Sequence, residues 1–251
     1  DVYKRQSHYI AGIHSVRTAL KHGAEQILGI CYDKERRDKR LGQLLSAARQ
    51  AGIKLDPVDR NTLASLSPDT NHQGIVAQTR VPSALGEDAL LQILNELQQP
   101  PLLLILDGVQ DPHNLGACLR TADAAGVHAV IAPRDRAVGL TPVVCKVASG
   151  AAETVPFIQV TNLARTLRSL CEDHNIWIMG AAEEADTIVY QANLTGPLAI
   201  VLGAEEKGLR RLTRERCDLL VSLPMAGAVE SLNVSVATGV ILFEAVRQRA
   251  G

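Results

Sequence analysis

The sequence predicts an α/β protein of two units, from the placement of strand-like runs, helical spacing and turn residues. From residue 102 onward, short apolar runs recur that are typical of strands buried on both faces of a parallel sheet. Amphipathic segments lie between most of these runs, which favours alternating strands and helices. The predicted strands of this unit cover residues 102–106, 127–132, 155–160, 176–181, 198–202 and 219–223.

The first part of the chain predicts a smaller α/β unit. Ser15 is a suitable N-cap for a helix that Gly23 ends, and residues 41–51 have helical spacing. The expected strands of this unit lie at 27–32, 53–58 and 74–81. Proline, glycine and a short helix near 89–98 mark a connection. We therefore predict domains at 7–82 and 100–251 and a linker at 83–99, and residues 1–6 join no pattern.

Composition excludes several classes of protein. With 46% apolar and 21% charged residues the chain is an ordinary globular one. No apolar run approaches the roughly 18 to 20 residues of a membrane span, and no signal peptide opens the sequence. The five cysteines form no C-x-x-C pair and the seven histidines show no metal-ligand spacing. We therefore expect reduced, mostly buried thiols, no metal and a cytoplasmic location.

The net charge of −1 hides an asymmetry along the chain. Residues 1–82 carry 13 Lys and Arg against 8 Asp and Glu, and the remainder carries 13 against 19. The basic residues are densest at Lys34, Arg36, Arg37, Lys39 and Arg40. Such a run is usually a solvated loop or helix start, and the alternative is a patch that contacts phosphate groups. The run alone leaves both interpretations open.

A first motif, D-P-H-N-L-G-A-C-L-R-T-A at 111–122, follows the first strand of the larger unit. Asn114 stands where a helix N-cap is expected, which gives it a structural role. Arg120 is not explained in this way, because it lies beside the apolar face of the helix within two turns of the strand end. An arginine there can reach the crevice at the carboxyl ends of the strands, where open α/β sheets bind ligands.

Two further motifs follow predicted strands in the same manner. Motif 2 is G-A-E-E-K-G-L at 203–209, whose small residues let a ligand approach the backbone. Glu205 could equally favour the N-terminus of the next helix. Motif 3 is P-M-A-G-A-V-E-S-L-N-V-S-V-A at 224–237. Ser231 is the expected N-cap of the last helix, and Asn233 has no evident structural role.

Several common cofactor motifs are absent from the sequence. There is no G-x-G-x-x-G and no G-x-x-x-x-G-K-[ST], which argues against a nicotinamide enzyme on a Rossmann fold and against P-loop chemistry. H-E-x-x-H and G-x-S-x-G are also missing. A cofactor would therefore have to be held by the short loops that follow the strands.

In order and spacing, the three motifs closely resemble those of the SpoU/TrmH family of SPOUT RNA ribose 2′-O-methyltransferases, over essentially all of 100–250. Residues 7–82 resemble the substrate-binding domain of this family, which is related to an L30e-type ribosomal-protein fold. The resemblance implies a parallel α/β domain with a deep trefoil knot, a homodimer built through that domain, and S-adenosylmethionine bound bent in a pocket of knotted loops.

The resemblance also assigns site residues by position. It places Gly203, Leu223, Met225 and Leu232 in the cofactor pocket. It gives the catalytic positions as Asn114, Arg120, Glu205, Ser231 and Asn233. In the family the arginine has been proposed as the general base, but a guanidinium normally stays protonated. Arg120 could instead fix a phosphate and stabilise charge on the 2′-oxygen, with Glu205 orienting it or accepting the proton.

The implied reaction is 2′-O-methylation of a guanosine ribose in the peptidyl-transferase loop of 23S rRNA, as naked RNA or within a large-subunit assembly intermediate. In that setting, the basic run at 34–40 is expected to contact RNA phosphates. Two alternatives remain. One is a tRNA 2′-O-methyltransferase of the same family, and the other is a catalytically silent RNA-binding protein of ribosome assembly, which would not bind S-adenosylmethionine.

Overall fold

The computed structural model describes residues 7–68, 71–205 and 207–251. The prediction that residues 1–6 belong to neither domain concerns residues outside the described part of the chain. By contacts the chain divides into two compact units. The first runs up to Ser83 and includes Leu140–Thr154, and the second consists of Ala84–Gly139 and Val155–Gly251. The division into domains at 7–82 and 100–251 concerns independent folding and stays a prediction.

The first unit is built on a four-stranded mixed sheet in the order β1-β4-β2-β3. Its strands are β1 (Ser7–Ala11), β2 (Ile27–Asp33), β3 (Leu55–Val58) and β4 (Ile75–Arg80). Its helices are α1 (Ile13–His22), α2 (Lys39–Gln50), α3 (Arg60–Leu66), α6 (Pro142–Ala148) and α7 (Ala151–Thr154). The expected cap of α1 is wrong, since Ser15 lies inside the helix and Gly12 precedes it. Instead, the Gln73 side-chain oxygen accepts the Ile13 N–H at 3.2 Å.

The second unit is a seven-stranded parallel sheet in the order β7-β6-β5-β10-β8-β11-β9. Its strands are β5 (Leu102–Asp107), β6 (Ala129–Pro133), β7 (Phe157–Val160), β8 (Trp177–Ala181), β9 (Thr187–Ile188), β10 (Leu198–Gly203) and β11 (Leu219–Ser222). Its helices are α4 (Glu87–Glu96), α5 (Pro112–Ala124), α8 (Leu163–Glu172), α9 (Arg211–Arg214) and α10 (Val234–Arg249). The predicted α/β class is confirmed, and the trefoil knot stays a prediction.

All six apolar runs of the sequence analysis form strands of this sheet. Strand β5, in the interior of the sheet, is buried along its whole length, as a strand covered by helices on both faces should be. The chain passes from β5 to β6 and β7 on one side, whereas β10 and β8 lie on the other. Open α/β sheets bind ligands beyond the carboxyl ends of the strands where the order reverses in this way. Within the described residues, no helix is long and apolar enough to span a membrane.

Candidate active site

The first motif places Asn114 at the carboxyl end of β5, but not as a helix cap. Asp111 is the N-cap of α5, where its carboxylate accepts the His113 N–H at 2.8 Å. Asn114 lies in the first turn of α5, and its side chain forms hydrogen bonds outside this helix. Its amide nitrogen donates to the Glu205 carboxylate, and its amide oxygen accepts from Asn233 Nδ2 at 3.0 Å. Asn114 thus joins all three motifs.

Motif 3 also differs from its prediction in the residue that caps the helix. Asn233, not Ser231, is the N-cap of α10, and its amide oxygen accepts from the Ser235 N–H at 2.9 Å and from Ser235 Oγ at 2.7 Å. Because the amide oxygen of Asn233 accepts hydrogen bonds from Ser235, its amide nitrogen is the group that donates to Asn114. The cap therefore orients the contact between the motifs.

Motif 2 forms a small closed loop after β10. The Gly208 N–H donates to the Ala204 carbonyl at 2.8 Å. The loop packs against its own base so tightly that a Cβ on Gly203 would lie 2.0 Å from the Gly208 carbonyl carbon. A glycine is required at position 203 because of this approach. The loop presents Glu205 toward Asn114.

A cavity of about 930 Å³ lies beside these contacts. Its walls include all four predicted cofactor residues, Gly203, Leu223, Met225 and Leu232, as well as Glu205 and Ser231. Met225 and Leu232 are 38% and 39% exposed, so a bound molecule would cover apolar surface that now faces solvent. Cavities of this size that combine apolar walls with a few polar groups are typical of cofactor sites.

The structure adds a wall that the sequence analysis did not predict. Residues 181–184, at the carboxyl end of β8, line the same cavity. Glu184 forms an ion pair with Arg214, which also lines it. The signal that could have found this wall is the position after a buried strand, because the carboxyl ends of parallel strands lie at one edge of the sheet.

The five predicted catalytic residues are only partly brought together. Asn114, Glu205 and Asn233 are joined by hydrogen bonds, and Ser231 lies in the cavity wall. Arg120 is exposed on α5 and, within the described residues, makes no ion pair. Its guanidinium is available to a phosphate or another anion.

In the first unit, the basic run forms the loop before α2 and the first turn of that helix. Arg36 is used internally, since Nε contacts the Asp38 carboxylate at 2.5 Å and Nη1 donates to the Gln73 carbonyl at 2.5 Å. Asp38 caps α2, and the hydrogen bond from the Leu41 N–H, followed by that from Arg36, lowers its pKa. The remaining members of the run are exposed, and none forms an ion pair within the described residues: Lys34, Arg37, Lys39 and Arg40.

The cysteines are all free, and two of them, Cys118 and Cys145, are fully buried. Burial raises the pKa of Cys118 to about 11 and that of Cys145 to about 12, so both thiols are protonated at neutral pH. In the first unit, possible ligand atoms of His8, Cys145 and Glu153 lie within 4.8 Å of one another, a grouping that the sequence spacing did not indicate. There His8 Nε2 lies 3.3 Å from a Glu153 carboxylate oxygen, and both side chains are buried.

Comparison with other proteins identifies the family of this chain. The model of the SpoU rRNA Methylase family matches residues 101–243, and that of the RNA 2′-O ribose methyltransferase substrate-binding domain matches residues 9–84. The chain is 56% identical over 246 residues to a protein of Ralstonia nicotianae named 23S rRNA (guanosine-2′-O-)-methyltransferase RlmB, covering 98% of this chain and 97% of that protein. A protein of the same name from Haemophilus influenzae is also 56% identical, over 98% of this chain and 99% of its own length.

A solved structure with a similar fold holds a cofactor. The SpoU methyltransferase AviRb from Streptomyces viridochromogenes, in complex with AdoMet, superposes with a TM-score of 0.76 at 26% identity. The superposition covers 98% of this chain and 92% of that protein. The predicted resemblance is confirmed: the chain belongs to the SpoU rRNA methylase family and contains that family's substrate-binding domain as well as its methyltransferase domain.

Proposed function

We propose that this protein methylates the ribose 2′-oxygen of a guanosine in 23S rRNA, in the peptidyl-transferase loop. The observation that carries the proposal is the junction at Asn114, which joins Glu205 and Asn233 beside the 930 Å³ cavity. The names of relatives that are 53–57% identical over nearly the whole chain support the choice of RNA and nucleoside. The substrate is proposed to be the rRNA itself or a large-subunit assembly intermediate.

The residues around the cavity fit S-adenosylmethionine, the cofactor of this enzyme. Leu223, Met225 and Leu232 offer apolar contacts for a purine, and the loop closed at Gly203 and Gly208 offers backbone groups for its polar edge. The cofactor supplies a methyl group made electrophilic by a cationic sulfur. The protein's task is then to align the ribose hydroxyl and to remove its proton.

In the proposed mechanism Glu205 accepts the proton of the ribose 2′-hydroxyl. The oxygen of that hydroxyl would take the methyl group, whose bond to the sulfonium would break to leave S-adenosylhomocysteine. The Asn114 amide holds the Glu205 carboxylate toward the ribose, and Asn233 fixes the other end of that amide. Ser231, in the cavity wall, positions the ribose. A carboxylate that is held in the reactive orientation promotes proton transfer faster than one that rotates freely.

We propose that Arg120 binds the phosphate next to the target nucleotide and stabilises negative charge on the 2′-oxygen. Its exposure, and the absence of an ion pair within the described residues, support a role toward the substrate. The planar guanidinium suits phosphate recognition and stays protonated at neutral pH. For that reason we assign Glu205, rather than Arg120, as the group that accepts the 2′-hydroxyl proton.

The basic loop of the first unit is proposed to contact RNA phosphates. Lys34, Arg37, Lys39 and Arg40 carry this role because they are exposed and form no ion pair within the described residues. Arg36 is assigned to the shape of the loop, since both of its contacts are internal. Structured RNA is recognised largely through phosphates and shape, which suits a small module with a positive surface.

We further propose that two copies associate through α10 of the second unit. Val236 and Phe243 are each 50% exposed on this helix, and Val240 lies between them at the spacing of one face. Exposed apolar side chains arranged in this way are typical of a surface that another chain covers. We place the homodimer in the cytoplasm, where a protein acting on rRNA meets its substrate.

The test is methyl transfer from labelled S-adenosylmethionine to 23S rRNA and to bulk tRNA transcribed in vitro, with mapping of the modified nucleotide. The proposal expects one 2′-O-methylguanosine in the peptidyl-transferase loop. Label on tRNA alone would overturn the target and keep the reaction. Cofactor binding with label only on ribosomal particles would select the assembly intermediate, and absence of cofactor binding would favour a silent RNA-binding protein.

A further inference from the structure

A buried carboxylate lies at the base of the motif 2 loop. Asp107, the last residue of β5, has a side chain with 0% exposure. It pairs in register with Gly203, the residue at which the chain leaves β10 and enters the loop. Arg210, where the chain leaves the loop, binds the same carboxylate.

The contacts between Asp107 and Arg210 are dense. The Arg210 N–H donates to Oδ2 at 3.0 Å, Nε donates to Oδ1 at 2.5 Å, and Nη2 lies 2.5 Å from Oδ1. A carboxylate can be buried at this depth only when it is paired and hydrogen-bonded. The backbone contact is as informative as the side-chain contacts, because it fixes the position of the chain and not only that of a flexible side chain.

Asp107 is consequently next to both ends of the loop, through strand pairing at Gly203 and through its carboxylate at Arg210. The loop leaves the sheet beside Asp107, closes through the Gly208–Ala204 hydrogen bond, and returns to Asp107 at Arg210. Within this frame Glu205 has a fixed place opposite Asn114. Neither Asp107 nor Arg210 lines the cavity, so their effect on the cofactor is indirect.

We propose that Asp107 and Arg210 are positioning residues that hold the motif 2 loop in the shape that binds S-adenosylmethionine and presents Glu205. This inference rests on the proposed function for its cofactor and its reaction. Loss of the clamp frees the loop to leave the cavity wall, which weakens cofactor binding and disorients the carboxylate.

The test measures S-adenosylmethionine affinity of the full chain by calorimetry without RNA, for Arg210→Ala, Asp107→Asn and the double variant. We expect each single change to weaken binding about tenfold or more, the scale of a misplaced contact. Arg211→Ala is the matched control, because Arg211 is the next residue and its ion pair, with Glu215, lies at the surface. The control should bind the cofactor as the wild type does.

The double variant separates a shared clamp from two independent effects. If the residues act through each other, it binds no more weakly than the weaker-binding of the two single variants. If the losses of affinity in the two single variants multiply in the double variant, the proposal is overturned. It is also overturned if a folded Arg210→Ala protein has a lower melting temperature but binds the cofactor with wild-type affinity. Asp107→Asn keeps the shape of the side chain and is the reserve if Arg210→Ala does not fold. Failure of the wild type to methylate rRNA would contradict the proposed function, whereas the comparison of affinities tests the clamp separately.

Discussion

The amide of Asn114 donates a hydrogen bond to the carboxylate of Glu205, 91 positions further along the chain. The same amide accepts one from Asn233, so a single side chain determines the arrangement of three motifs. Because an amide offers both a donor and an acceptor, neither a carboxylate nor an apolar residue can replace it in this role. The junction should therefore be sensitive to substitution at Asn114.

Asn114→Asp places a second carboxylate against Glu205 without changing the size of the side chain. We expect a turnover about 10- to 100-fold lower, the scale of a misplaced catalytic group. The two like charges repel each other, so the Glu205 carboxylate should leave its place opposite position 114. Asn162→Asp is the control, because Asn162 caps α8 and an aspartate caps equally well. Wild-type turnover in Asn114→Asp would contradict the role of the junction.

Arg120→Ala removes the cation that we assign to the substrate. Turnover should fall by at least about 100-fold, a typical loss for a positioned catalytic group. Cofactor affinity should stay nearly unchanged, because Arg120 does not line the cavity. Arg120→Lys should recover little, since a point charge lacks the planar fork. Arg168→Ala, an exposed arginine on α8, is the control, and near-normal turnover of Arg120→Ala would refute the assignment.

The role of the basic loop can be tested by comparing a variant that lacks the Arg37 and Arg40 side chains with one that lacks the Arg36 side chain. Replacing Arg37 and Arg40 by alanine should weaken RNA binding and make its salt dependence shallower, with a slope lower by about one for each phosphate that is no longer bound. The melting temperature should not change, since both side chains are exposed. Arg36→Ala should instead lower stability, because it removes the hydrogen bonds to Asp38 and Gln73.

Lys54→Ala is the control for charge in this experiment, since Lys54 is a 74% exposed lysine of the same unit that forms an ion pair with Asp56. Its RNA affinity should stay near that of the wild type. If it fell as far as that of the Arg37 and Arg40 variant, the attraction would be a general effect of charge and not of this loop.

Gly203→Ala tests the close approach at the base of the motif 2 loop. A methyl group there would meet the backbone of Gly208 and Leu209 at 2.0 to 2.4 Å, so the loop must move. We expect about 1–3 kcal/mol of lost stability, the usual scale of overpacking, together with weaker cofactor binding. Gly196→Ala is the control, because no atom lies within 4 Å of its added carbon. Unchanged cofactor affinity in Gly203→Ala would show that the loop does not form the pocket.

Glu244 on α10 should make the stability of the second unit depend on pH. Hydrogen bonds from Arg247 and then Gln248 lower the pKa of Glu244 from 4.5 to about 2. Because the folded-state pKa is below that of the unfolded chain, this contribution is complete above pH 4.5 and is lost as the pH falls toward 2. The difference in unfolding free energy between wild type and Glu244→Gln should therefore shrink from about pH 5 to about pH 3. A constant difference would contradict the pairing.

Much of the fold could be predicted because the burial of a segment is visible in its local pattern of apolar residues. All six predicted strands of the larger sheet are present, since strands covered on both faces are apolar along their length. β1 and β9 were not predicted; β9 has two residues and β1 alternates buried with exposed positions over only five. The helix caps were wrong at Asn114 and Ser231, because Asp111 and Asn233 offer equally good capping groups nearby.

The sequence by itself determined the strands, the family and the chemical groups available to the site. Only the tertiary structure decided which groups meet: Asn114 with Glu205 and Asn233, and Asp107 with Arg210. It also decided that Arg36 is held internally by Gln73, whereas Arg37 is exposed. The physical reason is that apolar periodicity reports how each segment is buried. A contact between residues some 100 positions apart, such as Asp107 with Arg210, depends on the order of strands in the sheet.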